Sequence, residues 1–109
     1  MDTDKTRICV LFDIYGDLLP QSVAFCIDLY YNDDLSLSEA AENTGISRQG
    51  VRAALVRGTE LLNDYEQKLG LYEKYKENKE IISKIKAELS CADEETKKRV
   101  SALLDSLSF

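Results

Sequence analysis

The chain has 109 residues, no histidine and a formal net charge of −6. Its apolar content of 44% and charged content of 31% suit a folded domain rather than a disordered chain. Without histidine the commonest general base and the commonest metal ligand are missing, and no glycine-rich phosphate loop or nucleophile elbow stands in for them. Composition therefore speaks against an enzyme and against a bound metal or cofactor.

A first helix is expected from about Asp4 to Tyr15, where Ile8, Leu11, Phe12 and Tyr15 recur at steps of three and four. Gly16 should end it. Pro20 should open a second helix, to about Tyr31, with Val23, Cys26, Ile27 and Tyr30 on one side. Asn32-Asp33-Asp34 reads as a turn. Ser36 and Glu39 have capping-box spacing and introduce a short third helix, about Leu37 to Asn43. Gly45 supplies the next turn, and Ser47 caps a fourth helix carrying Val51, Ala54, Leu55, Leu61, Leu62 and Tyr65. That helix should stop at Leu69, with Gly70 as its cap.

A fifth helix is expected over about Leu71 to Leu89. Leu71, Tyr75, Asn78, Ile82, Ile85 and Leu89 alternate steps of four and three, a heptad-like seam with one polar position. Asn78 either fixes the register between helices or faces water where the seam drifts. Ser90 to Asp93 reads as a turn before a last helix, about Glu94 to Leu107, with Val100, Leu103, Leu104 and Leu107 on one stripe. Glu80–Lys84, Glu94–Lys98 and Glu95–Arg99 have the spacing of supporting ion pairs. The expected fold is all-α with about six helices: a helix-turn-helix bundle over residues 1–69 and a C-terminal helical extension over 70–109. The extension's two stripes need burial, on each other or across a two-fold axis, and the heptad-like pattern favours a homodimer.

The opening MDTDKTR and the acid-bearing run after it lack the layout of a signal peptide, and no apolar run approaches the ~18 residues of a membrane span. A cytoplasmic protein without membrane contact is expected. Cys9, Cys26 and Cys91 lie far apart. With no Cys-x-x-Cys pair among them, Cys9 and Cys26 are expected as reduced core residues.

Charge is unevenly spread. From Ile8 to Ser47 there is no Lys or Arg, while Asp13, Asp17, Asp28, Asp33, Asp34, Glu39 and Glu42 fall in that stretch. Arg48, Arg52 and Arg57 then follow with no acid among them. Duplex binders usually offer a broader basic face than this narrow stripe.

The segment LSLSEAAENTGISRQGVRAAL meets the demands of a helix-turn-helix in register. Ala40 and Ala41 allow close approach of two helices, and Gly45 tolerates the positive φ of a tight turn. Leu37, Ile46, Val51 and Leu55 are placed to fill the wedge. The opening turns of such a second helix enter the major groove, where Arg48, Gln49 and Arg52 would reach base edges and Arg57 phosphate, with Ser47 at the start. The alternatives are a helical hairpin that binds no nucleic acid, and arginines that meet an acidic protein.

LFDIYGDLL, LYYNDDLSLSEAAENTGISRQGV and LLNDYEQKL together resemble the YlxM family of small bacterial helix-turn-helix proteins, over roughly Thr6 to Tyr75. The resemblance implies a fold similar to region 4 of sigma factors. It also implies gene neighbourhood with the GTPase of the signal recognition particle and its receptor, and hence a role in that pathway or its regulation. DNA and that GTPase are the two partners it suggests, the GTPase by way of the acidic first half of the chain. The chain departs from the family pattern at Pro20-Gln21-Ser22-Val23, at Arg52-Ala53 and at Val56-Arg57, where a lysine is replaced.

Overall fold

Four of the six helices share one core, and the reason lies in where their apolar faces meet. The computed structural model describes residues 5–107. Among them it places α1 Lys5–Tyr15, α2 Gln21–Ile27, α3 Leu37–Thr44, α4 Arg48–Leu69, α5 Leu71–Glu88 and α6 Glu94–Asp105, and no strand. The expected start of the first helix at Asp4 lies outside the described residues. The chain divides into two compact units, Met1–Gly70 and Leu71–Phe109.

In the first unit α4 is the central helix, packed against α1, α2 and α3. Ile8, Leu11 and Tyr15 of α1, Val23, Cys26 and Ile27 of α2, Ala40 of α3, and Val51, Leu55 and Leu62 of α4 are buried together. Burial pushes the Cys26 thiol above its usual range, because a thiolate would lose its hydration there. Cys9 is half-buried, with its sulfur 3.6 Å from the Tyr31 carbonyl, and Cys91 is exposed; all three thiols are free.

The second helix departs from expectation at its end. After Ile27 the chain runs into a wider π turn, Asp28–Asn32, closed by Asp33 N–H donating to the Asp28 carbonyl at 3.1 Å. The extra residue in that turn rotates the face, so Leu29 and Tyr31 are buried and Tyr30 is only half-buried. The chain then reverses at Asp34, which takes a left-handed φ of 57° and pairs with Lys5.

Helices α2 and α4 approach closely at Gly58, a buried residue of α4. A methyl group built there would lie 2.8 Å from Ile27 Cδ1 and Cγ1 and 2.9 Å from Val23 Cγ1. The α2–α4 spacing is therefore set by backbone meeting side chain. Polar ties then fasten α1 and the turn after it to the C-terminal half of α4. Tyr15 Oη donates to Glu66 Oε1 at 2.8 Å, Arg7 Nη2 to Asn63 Oδ1 at 3.0 Å, and Tyr65 Oη to the Leu18 carbonyl at 3.3 Å.

The second unit is built differently. No residue of α5 or α6 is buried. A 3-10 turn, Leu89–Cys91, joins the two helices. Asp93 caps α6 by accepting from Thr96 N–H at 2.7 Å, which holds its carboxyl below the usual range. Lys86 Nζ meets Asp105 Oδ1 at 3.0 Å. The helix stops at Asp105 rather than Leu107. Glu80 pairs with Lys84 as expected, whereas Glu94 pairs with Lys97 at i,i+3 instead of with Lys98.

Candidate nucleic-acid interface

The helix-turn-helix is assembled by local hydrogen bonds. Ser36 Oγ accepts from Glu39 N–H at 3.1 Å, and Glu39 Oε1 accepts from Ser36 N–H at 2.9 Å, which closes the capping box that starts α3. Those bonds favour the carboxylate and hold the Glu39 pKa below its usual range. Thr44 Oγ1 donates back to the Ala40 carbonyl at 2.9 Å. Gly45 then takes φ 76°, a left-handed conformation that a side chain would strain, and its N–H donates to the Ala41 carbonyl at 2.9 Å. Two residues later Ser47 Oγ accepts from Gly50 N–H at 3.0 Å and starts α4.

The wedge between α3 and α4 closes on Ala40, Val51 and Leu55, all fully buried. Two expected members stand elsewhere. Ile46 is 41% exposed and Leu37 is half-buried. The left-handed bend at Gly45 comes just before Ile46, whose side chain faces outward. Ala41 is likewise only half-buried.

Arg48, Gln49, Arg52 and Arg57 are all exposed. Arg48, Gln49 and Arg52 line a shallow open depression together with Leu37. Gln49, Arg52 and Arg57 line the next one, with Ala53, Val56 and Glu60. The four side chains thus form one continuous strip along the outer face of α4, and Ser47 stands at its end as the cap. Among the described residues no hydrogen bond or ion pair ties any of the three guanidinium groups to another side chain. Leu37 was expected in the wedge and Val56 was noted as a departure from the family pattern, but neither they nor Glu60 were expected beside the arginines. Glu60 and Val56 could have been, since they follow Gln49, Arg52 and Ala53 at helical steps of three and four.

The start of α4 also differs electrostatically from the other capped helices. The first turn of α4 holds no acid, whereas α3 has Glu39 there and α6 has Glu94 and Glu95. The positive end of the α4 dipole is left without a neutralising carboxylate, beside Arg48 and Arg52. Backbone N–H groups and guanidinium groups at one helix end suit an anionic oxygen such as phosphate. Among the described residues no cluster of metal-ligating side chains occurs, and no helix is long and apolar enough to cross a membrane.

Residues 3–102 match the model of the family described as "Putative helix-turn-helix protein, YlxM / p13 like". The chain is 41% identical over 108 residues to a UPF0122 protein of Bacillus velezensis, covering 98% of this chain and 96% of that one. It is also 41% identical over 101 residues to UPF0122 proteins of Bacillus cereus and Bacillus anthracis, covering 90% of this chain and 92% of each relative. The family's description names it by its helix-turn-helix. With its six described helices, its turn at Gly45 and relatives matched over nearly their whole length, the chain belongs to the YlxM / p13-like UPF0122 family.

Proposed function

We propose that the chain is a regulatory protein that binds duplex DNA through the opening turns of α4, and that it has no catalytic role. The observation that carries this reading is the strip of Arg48, Gln49 and Arg52, exposed and without salt-bridge partners among the described residues, at an acid-free helix start. Arg48 and Arg52 suit guanine edges or phosphate, Gln49 suits adenine, and Arg57 lies further along for phosphate. Ser47 holds the helix start by accepting from Gly50 N–H, which leaves its own O–H free to donate to a phosphate or a base edge.

A second reading has its own observation. Phe12 and Phe25 line an apolar depression on the first unit, beside Asp28 and in a stretch of chain without a basic residue. That surface suits a basic protein, and the GTPase of the signal recognition particle is the partner the family resemblance suggests. On either reading the protein works in the cytoplasm.

One binding experiment with two arms tests both. The full chain is titrated into labelled random-sequence duplex DNA, and separately into that GTPase, at low and at physiological salt. Duplex affinity should fall steeply with salt and drop by about tenfold or more in Arg48→Ala with Arg52→Ala. Duplex binding that ignores those substitutions removes the first reading. Reversing Asp28, the carboxylate that lines the depression, is the matching change for the second arm, and GTPase binding that ignores it removes the second reading. Asp34 is unsuitable there, because it holds the turn before α3 and pairs with Lys5.

A further inference from the structure

The apolar stripes of α5 and α6 are only partly covered. Tyr75, Ile82 and Leu89 on α5, and Val100 and Leu104 on α6, are half-buried. A second set stays open: Leu71, Ile81 and Ile85 on α5, and Leu103 and Leu107 on α6 are exposed, Ile81 at 52% and Leu103 at 68%. Ile81 and Ile85 stand one helical turn apart, and so do Leu103 and Leu107. The unit spans fewer than about 40 residues, a size at which a chain seldom holds its fold without a crosslink, a metal or a second copy. Its one cysteine, Cys91, is free, and no metal cluster occurs among the described residues. Of those three supports, the second copy remains.

Charge points to the same partner. The first unit holds twelve carboxylates against six Lys and Arg, so it carries the whole of the net −6. The second unit holds eight of each and is neutral. A neutral face gains little steering toward a strongly charged partner, whereas the neutral second unit of another copy meets no net repulsion from it. The sequence pattern reaches the same face: Leu71 and Ile85, on the seam spaced by fours and threes from Leu71 to Leu89, belong to the open set. Asn78 sits half-buried on that seam, at the kind of polar position that fixes register in such pairs.

We infer that Leu71–Phe109 is a homodimerisation element. A second copy of the chain covers Ile81, Ile85, Leu103 and Leu107, through an interface that presents the same patch on both partners. Pairing also gives one assembly two α4 strips.

Light scattering of the full chain at about 100 µM should give the mass of a dimer, since obligate pairs persist at such concentrations. Ile85→Asp with Leu103→Asp should give a monomer. Phe25→Asp, on the exposed face of the first unit, should stay dimeric. The milder pair Ile85→Ala with Leu103→Ala truncates two exposed side chains and should keep the native far-ultraviolet circular dichroism while weakening the dimer by about tenfold or more, since truncation removes several methylenes buried on pairing. A monomeric parent chain overturns the proposal. So does a dimer lost in Phe25→Asp, or a dissociation constant that the alanine pair leaves unchanged.

Discussion

Leu55 in α4 and Leu104 in α6 occupy equivalent places on the apolar faces of their helices, yet one is sealed and the other half open. The helical period assigns both to an inner face. It does not say how many other helices will cover that face. In the first unit α1, α2 and α3 all pack on α4, and the interior closes. In the second unit two helices meet and enclose nothing. Amphipathicity therefore specifies a direction, and burial follows only where enough neighbours converge.

The largest expected effect comes from the matched truncations. Leu55→Ala should lower stability by about 2–5 kcal/mol, because a fully buried side chain leaves a cavity as well as losing transfer energy. Leu104→Ala in dilute solution should lower it by about 1 kcal/mol, in keeping with its partial cover. Urea titrations followed by far-ultraviolet circular dichroism measure both, and equal losses would break the contrast between the units. Gly58→Ala comes next. The strain of a methyl at 2.8 Å from Ile27 costs roughly 1–3 kcal/mol, and the better helix propensity of alanine returns about 1, so the expected net loss is at most about 2 kcal/mol. A stabilised Gly58→Ala would mean that α2 slides easily on α4.

The smallest effect concerns the capping box. Glu39 has a folded-state pKa below its ordinary value, so its contribution is present above that ordinary value and lost as pH falls through the lowered one. Helicity and melting temperature should therefore decline from about pH 5 downward, and Glu39→Gln should flatten part of that slope. An acid limb identical in the two chains would assign the loss to other carboxylates.

Where the sequence was legible, the determinants were local. Ser36 and Glu39, Gly45, and Ser47 with Gly50 are each separated by three residues or fewer from what they bond, or act through their own φ, and they are found as expected. The arginine strip was legible for the same reason, since exposure follows from the polar side of one helix. What escaped is contact across the chain. Gly58 looks like a weak point in a helix until Ile27 and Val23 are seen lying against it. Tyr31 replaces Tyr30 in the core because of a π turn that no periodicity announces. The Tyr15–Glu66 bond joins residues 51 positions apart. Ile46 was misplaced because it lies between two helices, just after the left-handed bend, where no period assigns a face. The partner of the strip is chemistry outside the chain altogether, so neither period nor spacing could name it.

The three sulfur atoms have a practical consequence. One thiol is open to solvent in the second unit, one is half shielded in the first, and one lies sealed at the centre of the first. The chain thus carries a depth gauge of its own. An alkylating reagent meets Cys91 at once and Cys26 only when the interior opens, so the breathing of the first unit can be timed against an always-open thiol on the unmutated protein.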